Sequence, residues 1–176
     1  GFQNNHNGTA PITVYGGFAS GIVPTTVTNG STATVLKMFG DLNADGSMVY
    51  VEYRCDTAAG YLYRNSMAWN AASKPAVTAS NVLLGNIQAN PGGAACFTYQ
   101  QQTVGSTTFV TDVAITLTVQ TEQTDAITGA RQTETKALLN VSPRNIFNVW
   151  QLASQFYPTP SERVQPTPSS ITALLP

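Results

Sequence analysis

Asp41, Asn43 and Asp45 alternate along one short stretch, Gly46 follows them, and Glu52 closes the pattern. The spacing is D-x-[DN]-x-[DN]-G-x5-E, that of a calcium-binding loop. Calcium takes roughly six to eight oxygen ligands, which alternating side chains and one backbone carbonyl can supply. The candidate ligands are Asp41, Asn43, Asp45, Ser47 through its carbonyl, and Glu52. Glu52 fits least well. After Gly46 the sequence reads as a strand, and a rise of about 3.3 Å per residue would carry Glu52 about 20 Å from the turn. Asn, Asp and Gly also favour a metal-free hairpin turn, so that reading stands beside calcium.

Other chemistry finds little support. His6 is the only histidine and lies in a polar N-terminal stretch. A serine nucleophile needs a positioned base, which one distant imidazole does not supply. Asp41 with Asp45, or Glu122 with Asp125, are the carboxylate pairs available for hydrolytic work, but acids in turns are ordinarily solvated or bind cations. No strand–loop–helix phosphate motif is present. The expectation is a domain that is not an enzyme and has no required cofactor, calcium being the one candidate.

Tyr50, Tyr61, Tyr63, Trp69, Tyr99 and Trp150 raise a second possibility, sugar binding, although strand aromatics are usually explained by packing. Three N-x-S/T patterns begin at Asn7, Asn29 and Asn140. Cys55 and Cys96 are the only cysteines. An even count in an extracytoplasmic chain favours a disulfide; two buried thiols are the alternative.

Composition supplies the setting. Charged residues are 10% of the 176, against roughly a quarter in ordinary soluble domains, while 42% are hydrophobic. One domain with a substantial core is expected, its surface covered by Thr, Ser, Asn, Gln and Gly. Such a surface suits an extracellular or periplasmic protein. With a net charge of −1 and scattered cations, nothing draws the chain to nucleic acid. No apolar stretch approaches the ~20 residues of a membrane-spanning helix.

The elements that position these residues read mainly as β. Ile12–Tyr15 and Thr34–Phe39 are short β-branched and aromatic runs. From Met48 to Cys55 the residues alternate, with Val49, Val51, Tyr53 and Cys55 on one face. Thr57–Gly60 turns the chain into Tyr61–Arg64, a hairpin. Val82–Leu84 and Ile87 supply core contacts, Asn90–Gly93 is a turn, and Cys96–Tyr99 is a strand followed by a polar loop around Gln100 to Thr108. Val113 to Gln120 and Arg131 to Val141 form a long antiparallel hairpin. Ser142 and Pro143 have the form of a helix start, and Ile146, Val149, Trp150 and Ala153 recur at helical spacing, predicting a short helix over 143–154. Beyond it, the prolines from Pro158 onward predict an extended tail over 158–176, whose Ile171, Leu174 and Leu175 can dock on the domain or on a neighbour. The domain proper is then 1–157.

In order, Gly40-Asp41-Leu42-Asn43-Ala44-Asp45-Gly46, Val51-Glu52-Tyr53-Arg54 and Gly60-Tyr61-Leu62-Tyr63-Arg64 resemble the middle of type IV minor pilins and type II secretion minor pseudopilins. Val82–Ile87, Phe97–Tyr99, Val113–Gln120 and Pro143-Arg144-Asn145 continue that order, so the resemblance covers roughly residues 34 to 148. It implies an antiparallel β-sheet head acting as a structural subunit of a pilus-like filament or secretion assembly. It also implies an N-terminal apolar helix, which these residues do not include and which an upstream segment or a separate short chain would supply. Partners would be copies of itself or other pilin-like subunits. The fold expected is mainly β with one short C-terminal helix, or α+β if the pilin helix is counted. The competing function is a secreted adhesin or carbohydrate-binding β-domain.

Overall fold

The computed structural model of the chain describes residues 21–143, 146, 149 and 167–173. Among the described residues, eight strands make two antiparallel sheets. The first has the order β1-β2-β3-β4, with β1 at Val35–Gly40, β2 at Val49–Asp56, β3 at Tyr61–Ala68 and β4 at Val82–Gly85. The second is built around β7, Thr107–Thr124. β6, Phe97–Val104, and the short β5, Ile87–Gln88, pair with it, as does β8, Arg131–Val141. Four residues, Ser169–Thr172, form the short helix α1. The mainly β, antiparallel architecture expected from the alternating pattern is the one found.

The sheets face each other across a common core. Leu36, Cys55 and Leu62 from the first meet Ile87, Phe97, Val110 and Val113 from the second, with Ile22 and Cys96 from the flanking segments. Burying each such aliphatic or aromatic side chain is worth about 1.5–3 kcal/mol. The face of β2 predicted to point inward, with Val51 and Cys55, does so. Cys55 is bonded to Cys96, just ahead of β6, so the disulfide ties the two sheets together. The chain changes sheet at Asn86, whose φ of 56° is the left-handed conformation that asparagine tolerates better than most residues.

Turns explain the connections. Asp56 accepts the amide of Ala59 at 2.9 Å, and Gly60, at φ 77°, completes the β2–β3 hairpin. In the β7–β8 loop Asp125 Oδ1 accepts the amides of Ile127 and Thr128 and the Thr128 hydroxyl. These bonds hold its carboxyl below the usual carboxylate range.

Three expectations need correction or completion. The span Gln100 to Thr108 is not a loop: β6 runs through Val104, Gly105 and Ser106 turn at a Gly φ of 61°, and β7 starts at Thr107. Its Thr, Gln and Val content was β-compatible, and Gly-Ser is a two-residue hairpin signal. The tail is not extended throughout, because Pro168 leads into α1, where proline's fixed φ and missing amide are tolerated at a helix start. Ile171 of that turn is 1% exposed and packs with Val23, Phe39, Tyr50 and Met67. It docks on its own domain.

Of the helix predicted over 143–154, Ile146 and Val149 have helical backbone, and Ile146 packs on Phe109. The other residues of that helix beyond Pro143, with His6, Asn7, the strand at 12–15, Trp150 and most of the tail, lie outside the described residues.

Candidate functional site

Register places Lys37, Glu52 and Asn65 directly opposite one another across β1, β2 and β3. They therefore share one face of the first sheet, away from the face that carries Leu36, Cys55 and Leu62. Sequence alternation marks that face as the polar one, yet all three side chains are buried. The covering layer comes from elsewhere in the chain. The segment after β3 folds back so that Pro75 O accepts Asn65 Nδ2 at 3.1 Å and Lys74 reaches Glu52. From the other side, Asn29 O accepts Lys37 Nζ at 2.9 Å, while Asn29 Nδ2 donates to Thr172 O at 2.7 Å.

Glu52 is the hub. Its Oε1 accepts the Tyr50 hydroxyl at 2.5 Å and Lys74 Nζ at 2.7 Å, with Lys37 Nζ at an ion-pair distance of 3.8 Å. Burial lowers the Lys37 pKa; the Glu52 charge opposes that effect and Lys74 adds to it. Burial raises the Tyr50 hydroxyl well beyond its ordinary value, helped by its hydrogen bond to Glu52 and by the Glu52 charge. Tyr50 is thus a fixed donor.

A pocket of about 770 Å³ opens over this face. Lys37, Glu52 and Asn65 line it together with Lys74, Arg54 and Tyr63. The Arg54 guanidinium lies 4.9 Å from the centre of the Tyr63 ring, a cation–π contact, and 3.5 Å from Asp56. Tyr61 meets Tyr63 edge to face at 5.8 Å.

The residues singled out from sequence divide differently. Asp41 and Asp45 are brought together in the β1–β2 turn, but by hydrogen bonds within the turn. Asp41 Oδ1 accepts the amide of Asp45 and Oδ2 that of Gly46, both at 3.0 Å, and Asp45 Oδ1 accepts the amide of Ser47 at 2.8 Å. Glu52 is not at this turn. It stands three register steps beyond Val49, where the turn's outgoing strand begins, so about 10 Å along the strand, and its carboxylate is held by Tyr50 and Lys74. The paired spacing of strand residues, rather than the helix that closes a calcium loop, sets its position. Asn43 sits in the exposed turn. Among the described residues no three His, Cys, Asp or Glu side chains gather as a metal site.

Among the candidate aromatics, Tyr50 is buried and Trp69 packs beside it; Tyr99 donates its hydroxyl to Thr32 O and Val35 O. Sequence reasoning missed Lys37 and Lys74 as site residues. Lys37 carried a signal, a single charge inside the apolar run Val35-Leu36-Lys37-Met38-Phe39. Lys74 carried none. Among the described residues no helix is long and apolar enough to cross a membrane.

Comparison with protein-family models, with curated proteins and with solved structures finds no match to this chain.

Proposed function

We propose that the domain is a structural subunit of an extracellular or periplasmic filament or pilus-like secretion assembly, acting by subunit packing and not by catalysis. The observation that carries this reading is β8. It is 11 residues long, pairs among the described residues only with β7, and is exposed from Arg131 to Leu138. An edge strand of that length presents a row of backbone donors and acceptors to a neighbour. A neighbouring copy can add to it antiparallel about Thr135, which sets Glu134 of each strand opposite Lys136 of the other. The inter-sheet disulfide supports an oxidising compartment.

The test is to express the whole gene in its host with Thr135 replaced by Cys and to image surface filaments. Disulfide-linked dimers in isolated filaments are the expected result. Filaments that lack the protein, or a protein found only as a soluble monomer, would overturn the reading.

A second reading, an adhesin or carbohydrate-binding domain, is favoured by the pocket over β1–β3, whose lining mixes charged and apolar residues.

A further inference from the structure

The pocket over β1–β3 collects charge of one sign on a chain that has little charge at all. Among the described residues, three of the chain's eight lysines and arginines, Lys37, Arg54 and Lys74, line it, against one carboxylate, Glu52. Depth sorts them. Lys37 is at the floor with 4% of its side chain exposed, Lys74 is in the wall with 16%, and Arg54 is at the rim with 47%.

A buried ammonium group, that of Lys37, and a partly exposed one, that of Lys74, share a single oxygen, Glu52 Oε1. One carboxylate cannot neutralise both, and an uncompensated charge away from water is costly. The carbonyl of Asn29 gives Lys37 a hydrogen bond but no opposite charge. Arg54 faces Asp56 only across a partly solvated gap, where such a pair is worth little. The interior of the pocket is therefore positive while the whole chain has a formal charge of −1. Walls of low dielectric concentrate that field at the opening.

The remaining lining indicates what carries the anion. Thr32, Ser73 and Asn65 line the same space, beside apolar residues that include Val35, Pro75 and Val77. Its volume of about 770 Å³ lies within the range of small-molecule sites and accommodates one or two sugar rings. Hydroxyl and amide groups suit sugar hydroxyls, and guanidinium and ammonium groups lining one pocket suit a carboxylate.

We propose that this pocket binds an acidic saccharide, with the sugar carboxylate between Arg54 and Lys74. The inference rests on the binding reading of the pocket and is independent of filament assembly.

Galacturonate and its dimer would be titrated into the disulfide-bonded protein, following thermal stability and NMR shifts of the Arg54 and Lys74 regions. Galactose, acetate and phosphate serve as controls. A saturable rise in Tm with the uronates, larger than with any control and weakened by salt, is expected. Arg54→Gln, at the half-exposed rim, should weaken uronate binding by roughly tenfold while leaving the unliganded Tm nearly unchanged. Lys74→Gln should weaken it too, but it also removes a partner of Glu52, which is why Arg54 is the deciding variant.

No response to uronates at ten millimolar overturns the proposal. An equal response to galactose overturns the carboxylate recognition but leaves sugar binding standing. An equal response to acetate or phosphate overturns the saccharide and leaves a bare anion site.

Discussion

Lys74 approaches Glu52 to 2.7 Å, closer than Lys37, which stands directly opposite Glu52 in the strand register yet lies 3.8 Å away. A residue 22 positions downstream thus makes the primary contact with the hub carboxylate. The polar face of the first sheet is thereby turned into an ion-paired layer at the floor of the pocket.

Removing that carboxylate should be expensive. Glu52→Gln leaves two lysines without an opposite charge in a largely buried site, and breaking a buried pair from one side costs about 3–5 kcal/mol. Lys74→Gln should cost less, because that lysine is partly exposed and Lys37 remains to face Glu52. Urea unfolding of the two variants, compared at equal m-value, checks the order. Equal costs would place the stability elsewhere.

The tyrosines and Lys37 give opposite pH signs. Tyr50 and Tyr99 are pushed above their ordinary value of 10.0, mainly by burial. The unfolded chain loses those protons first, so their stabilisation is complete below pH 10 and is lost as pH rises through the folded values. Lys37 is lowered from 10.5, so stability rises with pH between its folded value and 10.5 and is then level. Above pH 10.5 the tyrosines prevail and Tm should fall. Tyr50→Phe or Tyr99→Phe should make that fall shallower, and thermal melts from pH 8 to 12 measure it.

The disulfide closes a sequence separation of 41 residues between the two sheets. Chain entropy alone assigns it about 4 kcal/mol. Reduction, or a Cys55→Ala/Cys96→Ala pair, should lower the denaturant midpoint accordingly. Thiol titration of the unfolded, unreduced protein should find no free cysteine.

Ile171 belongs to the core although the chain around it reads as a tail. Ile171→Ala should cost about 2–5 kcal/mol, the usual range for a fully buried isoleucine. Deleting residues 158–176 would remove that contact together with the Asn29–Thr172 hydrogen bond, so its first effect is on folding and it is not a clean test of assembly. A truncated protein with an unchanged Tm would contradict this placement.

Asp41 accepts two turn amides with its two carboxylate oxygens. Asp41→Ala should destabilise by about 1 kcal/mol whether calcium or a chelator is present. Wild-type Tm should be equal in both, since the turn is closed by its own hydrogen bonds. A higher Tm in millimolar calcium would restore the ion to this turn.

Local pattern was enough for the sheets. Alternation in residues 48–55 identified β2 and its inward face, and the paired runs around Val113–Gln120 and Arg131–Val141 identified the β7–β8 hairpin, because strand periodicity is a property of neighbouring residues. The Cys55–Cys96 bond was one of two readings, and only sheet stacking brought the sulfurs together.

The same local logic had already set Glu52 apart from the turn. Its spacing from Asp41 matched a calcium loop, but an extended strand carries residues away from a turn where a helix would return them. The pocket was outside its reach. Lys37, Glu52 and Lys74 come from β1, β2 and the segment beyond β3, and nothing in their separate surroundings signals that they meet.

The sequence by itself determined that this is a β-rich chain of low charge with hairpins at defined turns, since period-2 alternation and turn residues act over a few neighbours. Tertiary structure alone decided that the other face of the first sheet would be covered as well, and by what, and hence that Glu52 is an ion-pair hub and Ile171 a core residue. The reason is physical: burial and charge pairing depend on distances between segments far apart in the chain.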